Sequence, residues 1–204
     1  MTGLHLNPRL LETSQTEPAS IARQWFSDAR HQEDWHDSLA LATAGTDGHV
    51  SCRVVTAQIL EDGKTLFASS ERTRKAQQLR ANPCAAMLAF WPRHERQLRI
   101  EGSVKRASTA KADQLFAELP REAQLLAWAS ADGQPQTPDE YDREHARFDD
   151  KYRDRQFPRP SYWRAFILTP AAYEFWESRG NWRRTCVRYI LDDQGNWHYN
   201  FVGP

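Results

Sequence analysis

A mainly β fold, one antiparallel barrel with peripheral helices, is what this chain predicts, and three observations predict it. Ser38 to Ser70 alternates apolar and polar residues and is cut twice by tight-turn signals, GTDGH and EDGK. CAAMLAFW and ERQLRIEGSVKRAS then follow as two more strand-like runs. Finally, the stretch from Tyr162 to Val202 reads as four strands, with DDQG as a turn inside the last hairpin. Helical patterns lie between these blocks, which suits a barrel with helices on its periphery.

Residues 1–17 are polar and predict an N-terminal arm; residues 18–204 form a single domain that includes the C-terminal strands 162–204. Pro18 suits the first turn of a helix running to about Gln32, with Ile21, Trp25, Phe26 and Ala29 on one face. Leu39, Leu41 and the alternation through Val50, Cys52 and Val54 mark the first two strands of a three-stranded meander that ends at Ser69–Ser70. A helix from Thr73 to Ala81 is stopped by Asn82-Pro83, because a residue before proline avoids helical angles. The strand CAAMLAFW is apolar on both faces. A barrel interior covers one of them, so the other, assigned to alternate members of Ala85, Met87, Ala89 and Trp91, needs a helix or a second chain. Two helices, 109–118 and 121–129, flank Pro120. The charged segment DEYDREHARFDDKYRDR predicts a solvated helix laced with i,i+4 pairs. Trp91, Trp128 and Trp163 are assigned to the core or an interface.

Composition narrows the function. With 27 basic and 27 acidic residues among 204, the chain lacks the basic excess of a broad nucleic-acid or anionic-membrane surface. Its three cysteines, Cys52, Cys84 and Cys186, are odd in number and widely spaced, so neither a zinc site nor a disulfide framework is expected. The first residues lack a signal-peptide core and no run is long and apolar enough to cross a bilayer, which predicts a cytoplasmic protein.

One stretch carries chemistry. In SSERTRKAQQLRANP, Arg74 and Lys75 open a helix, at the end where the backbone already carries partial positive charge. Thr73 is a good N-cap residue, and the N–H groups after it have no intrahelical partner. A phosphate there accepts those bonds and neutralises both cations; the alternative is that both side chains bend into water. Arg53, within the otherwise apolar SCRVVTAQI, needs an anion too, either the same phosphate or a carboxylate such as Glu61 or Asp62. Gln97 offers a donor and an acceptor to a ring edge. His94 and His198, near strand ends, are the histidines considered for catalysis, and no catalytic residue is assigned.

Taken in order, CRVV, LFASS, TRKAQQLRANP, LAFW, ERQLRIEG, LPREAQLLAWAS, Arg159-Pro160 and a final YEFW resemble the pyridoxamine 5′-phosphate oxidase family. The resemblance implies a split β-barrel homodimer with FMN at the subunit interface. It implies cofactor contacts from Arg53, Val54, Val55, Ser69, Thr73, Arg74 and Lys75, with Gln97 reaching the ring from the partner and Trp176 flanking it. Two positions depart: a family arginine falls on Cys186 and a loop glutamine falls near Asp132. The positions that bind substrate in the true oxidase fall here on Gln58, Leu115, Leu119, Ala123, Trp182 and Arg184. The side chains that would hold a substrate phosphate are thus neutral, three of them apolar.

The resemblance so altered implies an FMN-dependent oxidoreductase that takes a hydride from a small, non-phosphorylated aromatic or heterocyclic substrate and is reoxidised by O2. Trp182 and Gln58 would line its pocket and Arg184 would anchor a carboxylate or oxygen. The alternatives are a pyridoxine/pyridoxamine 5′-phosphate oxidase with a rearranged pocket, or a non-catalytic flavin- or haem-binding split barrel.

Overall fold

The computed structural model describes residues 17–178 and 184–203. The predicted arm, but for its last residue, and Trp182 lie outside the described residues.

Helix α1, Pro18–Arg30, precedes three strands, β1 Ser38–Ala44, β2 Val50–Ile59 and β3 Thr65–Ser70. Helix α2, Arg74–Ala81, leads to β4 Cys84–Trp91 and β5 Arg96–Arg106. Three helices follow, α3 Thr109–Ala117, α4 Arg121–Ala129 and α5 Pro138–Lys151, and then β6 Trp163–Ser178, β7 Arg184–Leu191 and β8 Trp197–Phe201. Every pairing is antiparallel, in the order β3-β2-β1-β4-β5-β6-β7-β8, and β3 also pairs with β6. That extra pairing closes β3-β2-β1-β4-β5-β6 into a six-stranded barrel, with β7 and β8 as an extension. No helix among the described residues is long and apolar enough to cross a membrane.

The chain from Tyr162 onward forms three strands, not four. Pro170 donates no ladder bond, which ordinarily interrupts a strand. Instead β6 continues through it, because its partner β5 shifts register between Glu101 and Gly102, leaving Ala171 as the extra residue of a bulge. Gly102 makes this possible: a Cβ there would sit 2.1 Å from the Thr169 carbonyl oxygen. The continuous strand matters to the architecture. Its first half pairs with β3 and its second half with β7, so β6 passes from the barrel wall into the extension.

The interior is filled by Leu39, Leu41, Phe67, Met87, Leu98, Ile100 and Phe175, and α1 packs Ile21, Trp25, Phe26 and Ala29 against it as its spacing predicts. Trp91 meets Trp25 and Phe26 edge-on, with ring centroids 6.4 and 5.1 Å apart. Helices α3 to α5 cover β3 and β6 from outside through Leu115, Phe116, Leu125 and Phe148 on Leu66, Trp163 and Ala165. Trp128 packs partly buried on the same cluster and donates to the Pro158 carbonyl at 2.9 Å. On α5 only Phe148 is buried, and its ion pairs among the described residues are Arg147 to Glu144 and Arg153 to Asp150, both at i,i+3 spacing, and two to α4, rather than an i,i+4 ladder.

The structure decides the faces of β2 and β4, and for β4 the assignment above is corrected. In β2 the more buried side carries Ser51, Arg53, Val55 and Ala57, while Val50 and Val54 are 68% and 67% exposed. In β4 the buried alternates are Met87, Ala89 and Trp91, so the outward set is Cys84, Ala86, Leu88 and Phe90. Alternation reveals parity, and a strand apolar on both faces gives no hint of which parity points in. The outer surface of β2-β1-β4 is therefore apolar. Val54, Ala40 and Leu88 form one row across it, and Cys52, Ala42 and Ala86 the next.

Candidate functional site

A cleft of about 610 Å³ opens between β2, β3, the start of α2, and helices α3 and α4 with the loop that follows them. It brings together Arg53, Val54, Val55, Ser69, Thr73, Arg74 and Lys75 on one side, and Gln58, Leu115, Leu119 and Ala123 on the other. Among the described residues these include every one expected in the cofactor or substrate contacts except Gln97, Trp176 and Arg184.

The cationic end is built from three elements. Lys75 donates to the Ser69 hydroxyl at 3.1 Å, and Ser69 in turn lies 3.1 Å from the Thr73 hydroxyl. Thr73 occupies the N-cap position of α2 without capping it: its hydroxyl donates to the Ser70 carbonyl at 2.8 Å. The first backbone N–H groups of α2 therefore keep no side-chain acceptor.

Arg53 is held in place from below. One of its terminal nitrogens donates to the Leu41 carbonyl at 2.9 Å and to the Thr43 hydroxyl at 2.8 Å, and the other to the Ser51 hydroxyl. Both hydroxyls donate to the buried Gln78 side-chain oxygen at 2.6 and 2.7 Å, and the Gln78 amide donates to the His49 carbonyl. Thr43, Ser51 and Gln78 thus fasten Arg53 and α2 to one another. Sequence reading missed all three; the one available signal was Thr43, a polar residue in phase with Leu39 and Leu41.

The expected carboxylate partners of Arg53 are engaged elsewhere. Asp62 binds Lys64 at 2.6 Å and Glu61 faces Arg23 at 3.8 Å. Among the described residues no carboxylate lies within ion-pair distance of Arg53, Arg74 or Lys75. The electrostatic consequence is visible in Lys75. Burial, then the neighbouring Arg53 guanidinium, push its ammonium below the ordinary lysine value, and Asp132 acts in the opposite sense. Burial likewise lowers Arg53. Cations concentrated at an uncapped helix start, with no bonded counter-ion, match the chemistry of a phosphate group.

A second group lies on β5 and on the half of β6 that pairs with β7. Gln97 and Trp176 are cross-strand partners, and the Arg184 guanidinium sits 5.5 Å from the Trp176 ring centroid. Cys186 is the next partner of Trp176. It is buried, and burial pushes its thiol up to about 11, so it is a neutral packing group. None of these four lines the cleft. The two histidines are elsewhere too. His94 meets Glu33 at 3.1 Å under α1, and His198 meets Asp192 at 2.7 Å in the last hairpin.

A family model described as pyridoxamine 5′-phosphate oxidase matches residues 29–176. The chain belongs to the pyridoxamine 5′-phosphate oxidase family. A pyridoxine/pyridoxamine 5′-phosphate oxidase of Bordetella pertussis is 34% identical over 196 residues, 95% of this chain and 92% of the relative. The corresponding protein of Salinibacter ruber is 34% identical over 92% of this chain and 89% of its own. Among solved structures, PhzG from Burkholderia lata, in complex with tetrahydrophenazine-1-carboxylic acid, superposes with a TM-score of 0.89 at 22% identity, covering 97% of both chains. A pyridoxamine 5′-phosphate oxidase-related, FMN-binding protein from Nostoc punctiforme superposes at 0.73 with 20% identity, covering 92% of this chain and 98% of that one. These two likenesses establish the family's barrel as the fold.

Proposed function

We propose that this chain is an FMN-dependent oxidoreductase, acting as a homodimer on a small, non-phosphorylated aromatic or heterocyclic substrate. The observation that carries the reading is the asymmetry of the cleft. Its cations, Arg53, Arg74 and Lys75, all stand at one end, whereas the wall formed by Leu115, Leu119, Ala123 and Leu126 is apolar. The cleft therefore offers a place for one phosphate, and the cofactor's takes it.

Bound there, FMN would supply the hydride acceptor, with O2 as the oxidant of the overall reaction. The protein's part is binding and positioning. Arg53, Arg74, Lys75, Ser69 and the first N–H groups of α2 hold the phosphate, and Val54 and Val55 edge the cleft beside them. Leu115, Leu119 and Ala123 give a flat ring apolar contact and exclude water, while Gln58 offers a polar edge.

Gln97, Trp176 and Arg184 reach the cofactor from a second copy. The apolar outer surface of β2-β1-β4 supports that arrangement, because on a lone chain Val50, Val54 and Phe90 remain 68%, 67% and 58% exposed. Arg184, beside Trp176, then meets the substrate's carboxylate or ring oxygen. The ligand of the Burkholderia lata neighbour, a reduced tricyclic carboxylic acid, has this chemistry.

A second reading, a pyridoxine/pyridoxamine 5′-phosphate oxidase, is favoured by the names of relatives 34% identical. The physical argument against it is that a substrate phosphate facing leucines forfeits charge-assisted bonds of about 1.5–3 kcal/mol each. Anaerobic reduction of the flavin-loaded protein decides between the two. The flavin absorbance should bleach with reduced aromatic heterocycles bearing a carboxylate, and at least about a thousandfold more slowly with pyridoxine 5′-phosphate at equal concentration. Equal bleaching by the phosphorylated compound refutes the proposal.

A further inference from the structure

The loop after α4 brings the one carboxylate found among the residues lining the cleft, Asp132. Its backbone is fixed. Asp132 has a φ of 56°, in the left-handed region that Asp and Asn tolerate better than most residues. Its N–H donates to the Ser130 hydroxyl at 3.1 Å. Gln136 clamps the same loop, accepting from the Ala131 N–H at 2.9 Å and donating to the Ala129 carbonyl at 2.8 Å. Its side chain lines the cleft, and its Oδ2 is buried without a hydrogen-bond partner among the described residues.

An unpartnered buried carboxylate oxygen costs stability, so its position needs a reason. Its field reaches the cationic end, where it favours the charged form of Lys75. Yet it forms no ion pair with Lys75, whose ammonium is bonded to Ser69 instead. Asp132 is thus a counter-charge held at a distance. It lowers the net charge that an arriving phosphate meets, and it does not occupy the donors that the phosphate uses.

We propose that Asp132 is an affinity-setting residue of the cofactor site: its fixed negative charge opposes the FMN phosphate and keeps the flavin exchangeable. The inference rests on the flavin reading above and deepens it. It assigns a role to a residue near the place where the family resemblance leads one to expect a neutral amide.

The test is a fluorescence-quenching titration of apo wild type and Asp132→Asn with FMN and, separately, with riboflavin. Asparagine keeps the shape and suits the left-handed backbone, so both proteins should fold. Removal of one charge from a partly solvated cleft should tighten FMN by about tenfold. The gain should appear mainly as slower release and shrink as salt is added. Riboflavin, which has no phosphate, should bind both proteins alike. An FMN affinity that is unchanged or weaker in Asp132→Asn overturns the inference, the weaker result making Asp132 an acceptor for a ribityl hydroxyl. Equal tightening of both flavins overturns it as well. Failure of both proteins to bind FMN refutes the flavin reading itself and takes this inference with it.

Discussion

Arg53→Met separates what the cationic end does for the cofactor from what it does for the fold. The substitution removes a guanidinium but keeps an unbranched side chain of similar reach. Its structural cost is three hydrogen bonds: the Leu41 carbonyl and the Thr43 and Ser51 hydroxyls each lose the guanidinium as donor, although both hydroxyls still donate to Gln78. Three lost hydrogen bonds of this kind amount to about 1.5–4.5 kcal/mol. For a chain of this size that lowers the melting temperature by about 3–18 °C. The loss toward FMN is read separately, in the affinity of a protein that is still folded. A charge-assisted contact to a phosphate is worth about 1.5–3 kcal/mol, a factor of about ten to 150 in affinity. Riboflavin carries the same ring and ribityl chain, so its affinity should change by less than about threefold, a shift of under 1 kcal/mol. Isothermal or fluorescence titration of both flavins into both apo proteins measures this directly. If Arg53→Met binds FMN as wild type does, the guanidinium does not meet the phosphate. If it weakens both flavins equally, Arg53 serves only the scaffold.

Two further outcomes follow from the same geometry. Lys75 is pushed below 10.5 in the folded apo protein, whereas a bound phosphate favours its protonated form. FMN affinity relative to riboflavin should therefore be full below the lowered value and fall as pH rises through it. Apo stability should move the other way, rising with pH between the lowered value and 10.5, because there the unfolded chain binds more protons. A flat FMN-to-riboflavin ratio up to pH 10.5 would count against Lys75 as a phosphate ligand. On the outer face, Leu88→Glu puts a charge into the row Val54, Ala40 and Leu88. Light scattering at micromolar concentration should show a dimer for wild type and a monomer with little flavin for the variant. A monomer that retains flavin would show that the second group, Gln97 and Trp176, is not supplied by a partner.

The barrel was legible because its signals are local. Turn residues at Gly63 and Gly195 take positive φ angles of 78° and 84°, and the hairpins they close fall where the sequence puts them. What the sequence concealed is set by distant contacts. The inward parity of β2 depends on which face the rest of the barrel covers, and Val50 and Val54 are apolar enough to be read the wrong way. Continuity through Pro170 depends on Gly102, 68 positions earlier. The site divides in the same manner. Arg74 and Lys75 were legible because cations at a helix start are locally unfavourable without an anion. The support of Arg53 was not, because Gln78 meets Ser51 and Thr43 across 27 and 35 residues of chain.

These contacts also explain why the two ends of the cleft are built so differently. The cationic end joins β1, β2, β3 and α2 through Thr43, Ser51, Arg53, Ser69 and Gln78, so its donors are preorganised by hydrogen bonds within the chain. The opposite wall comes from α3 and α4, whose Leu115 and Leu125 pack on β3 and β6 through apolar contact alone. Side chains in such a wall change shape without disturbing a hydrogen-bond network, whereas any change at Thr43, Ser51 or Gln78 strands a buried partner. If the cationic end holds the flavin phosphate as proposed, cofactor binding and substrate choice are mechanically separable: the wall that carries Leu115 and Leu119 can vary while Thr43, Ser51 and Gln78 hold the donors of the other end in place.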